Sequence, residues 1–497
     1  MTAQLDGDLE QADPVDGDFG PGIDPADLAV CLRVLTELDG LPLDHPDAIT
    51  VRLATAQIYK NVKQRRRRER RDAVLANDEA VTAATATGAP GRIDDETQGL
   101  PLTSNVAGAV AGTLIRARAC YICKDRYQVV DAFYHQLCPS CAASSRQRRD
   151  ARTDLTGRRA LLTGGRAKIG LHIALRLLRD GAHTTITTRF PNDAVRRFAS
   201  MPDSADWLHR LRIVGIDLRD PAQVIALADS VAEQGPLDIL INNAAQTVRR
   251  SPRAYSALAE AESAALPEGP LPEMISFGRT RDAHPTAIAD TMTGHWSPSP
   301  DALAALALTA GSASPEKIAS EMAIDAGGLL PDLHDSNSWV QLVDQVDPLE
   351  LLEVQLCNST APFILISRLR PAMAAAHRNG ARRTYIVNVS AMEGQFSRGY
   401  KGPGHPHTNM AKAALNMLTR TSAEEMLSDG ILMTAVDTGW ITDERPHPTK
   451  MRLADEGFHA PLDLVDGAAR VYDPIVRGEA GEDLYGCFLK DYRPSAW

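Results

Sequence analysis

From Leu155 onward the chain alternates short apolar, β-branched segments with amphipathic segments of helical spacing, and this alternation constrains the fold more than any other feature. The predicted strands are RRALLTGG, AHTTITTR, LRIVGIDL, LDILINNAA, TYIVNVSA and ILMTAVDTG, with YGCFLKD as a last edge strand. Amphipathic helices are predicted between them, as in a parallel sheet with helical crossovers. The sequence therefore predicts an α/β fold over residues 155–497, a doubly wound Rossmann-type parallel sheet with helices on both faces.

Acidic residues are concentrated at the amino terminus. The first 50 residues hold twelve acidic residues and one basic residue, Arg33, and they account for the whole net charge of −11. An acidic segment interrupted by Gly and Pro, such as DGDLEQADPVDGDFGPG, buries too little apolar surface to fold. We therefore predict a disordered acidic tail over residues 1–23.

Residues 24–101 are predicted to form a helical region with a basic stretch and a linker. Apolar residues recur at helical spacing in DLAVCLRVLTEL and AITVRLATAQIYKNV, and the second helix continues into KQRRRRERR. Such a run could contact a polyanion, but it is more often a solvated helix face, so nucleic-acid binding is not favoured. Composition predicts a linker at TATGAPGRIDDETQGLP.

Four of the seven cysteines form two CxxC pairs, and they are Cys120, Cys123, Cys138 and Cys141. The spacing C-x2-C-x14-C-x2-C places two thiolate pairs on two tight turns, as a tetrahedral zinc site requires. The alternative is four reduced, buried thiols. Four thiolate ligands close a site to water and substrate, so we predict a structural Zn²⁺ in a zinc-ribbon-like module over residues 102–154, with His135 outside the site.

No basic amino-terminal region leads into an apolar stretch, and the sequence contains no run of about 18 apolar residues. An odd number of cysteines, four of them in CxxC pairs, also indicates metal ligation rather than a disulfide framework. We therefore expect a cytoplasmic protein without a membrane segment.

A glycine turn joins the first predicted strand of the α/β region to its first helix. Backbone N–H groups at the start of a helix after such a turn can face a pyrophosphate. Arg189 closes the second strand, where an acidic residue would bind the ribose hydroxyls of NAD, and a guanidinium there suits the 2′-phosphate of NADP instead. The predicted cofactor-binding residues of this region are Thr163, Gly164, Gly165, Arg166, Lys168, Ile169, Gly170 and Arg189.

These features, in this order, resemble the short-chain dehydrogenase/reductase family over residues 155–497. The glycine motif of that family is TGxxxGxG, and Lys168 stands at its middle glycine, as a basic residue does in the related NADPH-dependent pteridine reductases. Asn242-Asn243-Ala244-Ala245 is similar to the family's NNAG, and Asp437-Thr438-Gly439 stands at its Pro-Gly turn beside the nicotinamide. The resemblance implies further cofactor contacts from Asp217, Leu218, Asn243, Ala244, Ala245, Lys412, Gly439 and Thr442.

The resemblance also implies an active site, but with a degenerate catalytic tetrad. Asn358 in CNSTAP and Lys412 match the family's catalytic asparagine and lysine. Thr408 stands where the family has its proton-donating tyrosine, and a threonine hydroxyl is no straightforward replacement because its pKa lies far above neutral. Alignment of VNVSAMEG on its asparagine puts Ala391 at the position of the family's catalytic serine. A shift of this alignment by one residue puts Ser390 there instead.

The loop that precedes Lys412 offers two candidates for the missing proton donor. The loop SRGYKGPGHPH contains Tyr400 and His407. Tyr400 is favoured because its phenol matches the lost chemistry, whereas a histidine five residues before Lys412 points off the lysine's helical face. The predicted catalytic residues are therefore Asn358, Ser390, Tyr400 and Lys412.

The interval from Asn243 to Asn358 spans 115 residues, although the family crosses it in a few tens. An insertion is therefore predicted at about 250–345, on the carboxyl-end side of the sheet, where open α/β folds bind ligands. It is either a lid that shapes the substrate pocket or a surface for a protein partner.

These observations lead to one favoured function and two alternatives. The favoured function is an NADP(H)-dependent oxidoreductase that acts on a carbonyl or alcohol in a small-molecule substrate. The first alternative is a catalytically impaired NADP-binding sensor or scaffold that engages a protein partner through the zinc module or the insertion. The second is nucleic-acid binding through arginines of the zinc module, but no aromatic stacking platform accompanies them. The family resemblance also implies a homodimer or homotetramer.

Overall fold

The computed structural model describes residues 22–90, 92, 102–250, 252–277, 328–329, 334–442 and 444–497. The chain divides into two compact units, Met1–Ala76 and Asn77–Trp497. The predicted acidic tail lies outside the described residues except for its last two positions, and so does most of the predicted insertion.

Two helices occupy the first part of the described chain. Helix α1 is Pro25–Glu37, and the carboxylate of Asp24 caps its amino end by accepting a hydrogen bond of 2.8 Å from the backbone N of Ala26. Helix α2 is Pro46–Ala83, and it carries the basic run KQRRRRERR, whose side chains are exposed.

The four-cysteine module consists of an antiparallel strand pair and a helix. Strand β1 (Val110–Ala119) pairs with β2 (Arg126–Asp131), and helix α3 is Pro139–Arg149. The start of the predicted linker packs on this module. The backbone N of Ala86 donates to the Ala132 carbonyl at 3.1 Å, and the N of Thr87 donates to the Phe133 carbonyl at 2.9 Å. These bonds bury residues that composition alone places in a linker.

A nine-stranded sheet forms the centre of the second unit. Its strands are β3 (Arg159–Leu162), β4 (His183–Thr188), β5 (Leu211–Gly215), β6 (Ile239–Asn242), β7 (Glu273–Ser276), β8 (Thr384–Ser390), β9 (Ile431–Asp437), β10 (Phe488–Lys490) and β11 (Arg493–Ser495). The order across the sheet is β11-β10-β9-β8-β6-β3-β4-β5-β7. Every neighbouring pair is parallel except β10 and β11, which confirms the predicted parallel sheet.

Helices cover both faces of this sheet. They are α4 (Lys168–Arg179), α5 (Pro191–Ala199), α6 (Pro221–Glu233), α7 (Ser256–Ser263), α8 (Pro348–Gln355), α9 (Ala361–Arg378), α10 (Pro406–Met426), α11 (His447–Asp455) and α12 (Leu464–Glu479). Leu162 packs with Ile173 of α4 in one apolar cluster, and its neighbour Leu161 packs with Leu365 of α9 in another. Adjacent strand residues point to opposite faces, so the two clusters show the doubly wound arrangement.

Strand β7 belongs to the predicted insertion and extends the sheet beyond β5, where the sequence pattern predicts no strand.

Within the described residues, the helical segment Pro348–Arg378 is long and apolar enough to cross a membrane. Its residues Leu365, Leu369 and Met373 are fully buried against the sheet, so they contribute to the core of this fold.

Candidate active site and metal centre

The glycine turn after β3 brings two backbone segments into close contact. Gly164 has a φ of +69°, a conformation that glycine adopts without steric cost. A Cβ added at Gly170 would lie 1.9 Å from the Gly164 carbonyl oxygen. Only a glycine at position 170 therefore lets α4 begin against the turn, with its first N–H groups at the carboxyl ends of the strands.

Lys168 is the first residue of α4, and its φ is +52°. This left-handed conformation costs a residue with a Cβ roughly 1–2 kcal/mol. The family motif has glycine at this position, which the backbone conformation explains. The chain thus places a basic side chain at a helix amino terminus, where the helix dipole also favours an anion.

The turn after β6 is fastened to the glycine turn. Thr163 Oγ1 accepts hydrogen bonds of 3.0 Å from the backbone N of both Asn243 and Ala244. Asn243 Nδ2 in turn donates to the carbonyl oxygens of Thr163 and Gly164, both at 3.0 Å. These four bonds hold two of the predicted cofactor segments in one rigid arrangement.

The arginines predicted to bind a 2′-phosphate are in different situations. Arg166 forms an ion pair with Asp193, which also accepts from Arg197 Nε at 2.6 Å. Arg189, at the end of β4, is exposed and has no carboxylate partner within the described part of the chain. Its guanidinium lies over the ring of Tyr255, 5.2 Å from the centroid. The Arg189 guanidinium also donates to Tyr255 Oη at 3.2 Å, and unlike that of Arg166 it has no described carboxylate to balance its charge.

A buried ionic network follows β5, and part of it has no signal in the sequence pattern. Arg219 Nη2 lies 2.7 Å from Asp217 Oδ2, and Arg219 Nη1 lies 2.8 Å from Glu353 Oε1. The other oxygen of Glu353 accepts from Gln246 Nε2 at 2.8 Å. Arg219 is two residues from Asp217 and could have been found by proximity, whereas Glu353 and Gln246 could not. Leu218, between Asp217 and Arg219, is buried in the adjoining apolar cluster.

Asn358 lies in a π-helical turn, Leu356–Thr360, between α8 and α9. Its amide is fully engaged by the main chain of Gln246: Oδ1 accepts from the Gln246 N at 2.7 Å, and Nδ2 donates to the Gln246 carbonyl at 2.9 Å. Turns of this kind occur frequently at functional sites. Asn358 therefore fixes the chain just after the Asn243-Ala244-Ala245 segment.

Lys412 is buried in α10 and reaches the end of β8. Its Nζ donates to the Val389 carbonyl at 2.8 Å, next to Ser390. Burial lowers the pKa of Lys412 to about 8, and the nearby Glu393 and Cys357 oppose this shift. A proton donor is most efficient when its pKa lies near the working pH, and the lowered pKa of Lys412 meets this requirement.

Three buried side chains near the start of α10 and the end of β8 have unsatisfied polar atoms. Ser390 Oγ, Thr408 Oγ1 and both ring nitrogens of His407 have no hydrogen-bond partner within the described residues. Burial also lowers the pKa of His407. Thr408 lies one helical turn before Lys412, on the same face. Buried polar groups are nearly always paired in folded proteins, and these atoms can form hydrogen bonds with a water or with a bound molecule.

Tyr400 lies apart from this buried group. Its side chain is 75% exposed on the loop before α10. The structure thus brings Ser390 and Lys412 together and leaves Tyr400 at the surface. Its role as the proton donor stays a prediction.

The loop after β9 closes the site on the side of β10. Asp437 Oδ1 accepts from the Gly439 backbone N at 2.9 Å, and burial raises the pKa of Asp437 to about 6. Gly439 has a φ of +77°, and a Cβ there would lie 2.6 Å from Leu462 Cδ1. Thr442, which follows in the same loop, is half-buried.

The four cysteines of the two CxxC pairs converge. Their Sγ atoms all lie within 4.8 Å of one another, as expected for ligands of one metal ion. No other cluster of metal-ligating side chains occurs in the described residues. His135 lies outside the cluster, and its Nδ1 is 2.8 Å from Thr87 Oγ1. The arrangement fits a closed four-thiolate site.

Comparison with known proteins gives the following likenesses. The family model for short chain dehydrogenases matches residues 158–264. An uncharacterized protein of Acanthamoeba polyphaga mimivirus is 31% identical over 373 residues, which are 72% of this chain and 71% of that protein. A "Probable oxidoreductase" of Streptomyces antibioticus is 41% identical over 91 residues, which are 18% of this chain and 30% of that protein.

Among solved structures, the NADPH-bound carbonyl reductase from chicken fatty liver is 18% identical, with a TM-score of 0.42 over 69% of this chain and 100% of that one. The family-model match begins at β3 and includes the glycine turn, Arg189, Asp217 and Asn243. The Asn358 turn and Lys412 of α10 follow in family order on this parallel sheet. Over residues 158–264, from β3 through α7, the chain belongs to the short-chain dehydrogenase/reductase family.

Proposed function

We propose that the protein is an NADP(H)-dependent oxidoreductase that interconverts a carbonyl and an alcohol. The observation that carries the proposal is the exposed guanidinium of Arg189 at the end of β4, without a carboxylate partner in the described residues. Lys168 begins α4 on the glycine turn after the neighbouring strand β3. Two cations flanking the ends of these strands favour a dinucleotide with an additional phosphate, whereas a carboxylate at position 189 would repel it.

The proton chemistry is assigned to Lys412 and Thr408. NADPH, when bound, supplies the hydride. The Ser390 hydroxyl, buried and without a partner among the described side chains, donates a hydrogen bond to the substrate carbonyl oxygen. Lys412 is the proton source, and the Thr408 hydroxyl on the same helical face relays the proton because it both accepts and donates. Tyr400 is the alternative donor, and that role requires its loop to fold over Ser390.

The four-cysteine site is proposed to hold a structural Zn²⁺. Cys120, Cys123, Cys138 and Cys141 supply four thiolates, which fill a tetrahedral shell and leave no position for water or substrate. The proposal therefore assigns this metal a role in folding, and it places the chemistry at the ends of β8 and β9.

Self-association is also proposed. Phe363 on α9 and Met410 and Met417 on α10 are more than half exposed. Burial of three large apolar side chains against a second copy would remove them from water. These exposed apolar side chains support the homodimer or homotetramer that the family resemblance implies.

The experiment that tests the function is a turnover assay. Purified protein with NADPH is screened against ketones and aldehydes, and NADPH oxidation is followed for the wild type and for Lys412→Met. Substrate-dependent oxidation that the variant loses supports the proposal. Binding of NADPH without turnover of any substrate would instead support the alternative function, a catalytically impaired NADP-binding sensor or scaffold. The observation in favour of that alternative is the replacement of the family tyrosine by Thr408.

A further inference from the structure

The four-cysteine module contacts the loop after β9 through a tyrosine. Tyr121 lies on the turn between Cys120 and Cys123, and its hydroxyl accepts a hydrogen bond of 2.9 Å from the backbone N of Trp440. Trp440 lies between Gly439 and Thr442. These two residues are the positions of the loop that are assigned to the cofactor. The module thus holds the main chain of a cofactor-binding segment, 319 residues further along the chain.

Apolar packing joins the module to the same region. Cys120 and Cys138 are buried in one cluster with Ile441 and Leu462, and Ile169 of the glycine motif packs against that cluster. Ile169 and Ile441 also both approach Gly467 of α12, where an added Cβ would lie 3.3 and 2.8 Å from their Cδ1 atoms. Two cysteines of the proposed metal site therefore share a core with the glycine motif and with the loop after β9.

Buried polar contacts fix this arrangement. Tyr134 Oη donates to Asp466 Oδ1 at 2.6 Å, and Arg149 binds both oxygens of Asp463 at 2.6 and 2.8 Å. Arg92, which is also buried, donates to the Leu462 carbonyl at 2.7 Å. Charged and bidentate contacts of this kind are stronger than ordinary hydrogen bonds, so the module is fastened rigidly to residues 462–466.

We propose that the four-cysteine module forms a wall of the cofactor site and that Tyr121 is a positioning residue. By accepting from the Trp440 N–H, the Tyr121 hydroxyl sets the path of the main chain from Gly439 to Thr442 against the nicotinamide end of the cofactor. The CxxC turn that carries Tyr121 is closed when its two thiolates bind one metal ion, so metal occupancy and cofactor affinity are coupled. The inference rests on the proposed binding of NADPH.

The test compares two tyrosine-to-phenylalanine variants of the same module. Tyr121→Phe removes the acceptor for Trp440 but retains the ring. Its matched control is Tyr127→Phe, because the Tyr127 hydroxyl donates to the His135 carbonyl at 2.8 Å, inside the module. Both variants are expected to retain one bound metal per chain. Tyr121→Phe should weaken NADPH binding about tenfold, the effect of one lost hydrogen bond, and Tyr127→Phe should leave the Kd unchanged.

Amide hydrogen exchange measures the positioning without the cofactor. In metal-loaded protein, amides 439–442 should exchange faster in Tyr121→Phe than in the wild type or Tyr127→Phe. Removal of the metal by a chelator should accelerate them in the wild type, and Tyr121→Phe should add little further effect, because both changes act through one contact. Unchanged exchange at these amides in Tyr121→Phe would overturn the inference even if NADPH binds, whereas faster exchange in a protein that ignores NADPH would overturn only the proposed function.

Discussion

Lys412 Nζ donates a hydrogen bond of 2.8 Å to the main-chain carbonyl of Val389, the residue immediately before Ser390. This contact brings the ammonium group of α10 to the carboxyl end of β8, where the Ser390 hydroxyl is buried. Thr408 stands where the family has its tyrosine, and Lys412 lies one helical turn further on the same face of α10.

The rate of carbonyl reduction should depend on the protonation of Lys412. Burial lowers the pKa of this lysine to about 8, and the donor must carry its proton. We expect the reduction rate to be constant below about pH 7 and to fall about tenfold per pH unit well above the pKa, with alcohol oxidation showing the opposite trend. Lys412→Met should slow reduction at least about 100-fold. A reduction rate independent of pH up to about 10 would exclude Lys412 as the donor.

Removal of the Thr408 hydroxyl should impair turnover while leaving NADPH binding intact. Thr408→Val preserves the shape of the side chain and removes the proposed relay, so kcat should fall about 100-fold. Thr434→Val is the matched control, because Thr434 Oγ1 is also buried and has no hydrogen-bond partner among the described residues, but it lies within β9. Steady-state kinetics with saturating NADPH checks both variants.

The exposed position of Tyr400 predicts that its hydroxyl is not needed. Tyr400→Phe should retain kcat within about twofold, since a side chain that is 75% exposed does not contact a substrate beside Ser390. A loss comparable to that of Thr408→Val would show instead that the loop closes over the site and that Tyr400 is the donor. The same kinetic assay distinguishes these results.

Metal removal should destabilise the Rossmann fold as well as the module. Cys120 and Cys138 share an apolar cluster with Ile441 and Leu462, so Cys120→Ser should release the metal and lower the melting temperature of the Asn77–Trp497 unit by at least about 5 °C. Cys31→Ser, at an exposed position in α1, should change neither. Metal analysis and calorimetric melting measure these effects. A Cys120→Ser variant that kept its metal would contradict the assignment of Cys120 as a metal ligand.

A methyl group added at Gly170 should prevent the glycine turn after β3 from forming. The added Cβ would lie 1.9 Å from the Gly164 carbonyl oxygen, so α4 could not begin where it does. Gly170→Ala is expected to lower the free energy of unfolding by about 2–3 kcal/mol and to abolish NADPH binding. Gly40→Ala, where no described atom lies within 4 Å of the added Cβ, should unfold like the wild type. Urea titration measures both changes.

The parallel sheet and the glycine turn after β3 were predictable because their signals are local. Alternating strand and helix patterns predicted the parallel sheet, and the glycine motif predicted the sharp turn after its first strand. Asp217 and Asn358 were recognisable from family motifs in the same way. Each of these features depends on residues within one strand, turn or helix.

Contacts between distant segments had no such signal. Arg219 pairs with Glu353 across 134 positions, and Tyr121 with Trp440 across 319. Strand β7 lies in an insertion whose composition favours helices, and it forms by pairing with β5 at the sheet edge. The residues after α2 have the composition of a linker, but their main chain bonds to Ala132 and Phe133. Tertiary pairing, which composition does not encode, decides these structures.

Calorimetric titration with NADPH and NADH tests the central claim most directly. We predict that the wild type binds one NADPH per chain and that Arg189→Ala weakens NADPH binding about tenfold or more while NADH binding is unchanged. Arg378→Ala, which removes an exposed arginine at the end of α9, should bind NADPH like the wild type. The absence of NADPH binding at millimolar concentration, or an equal loss for both cofactors in Arg189→Ala, would contradict the account.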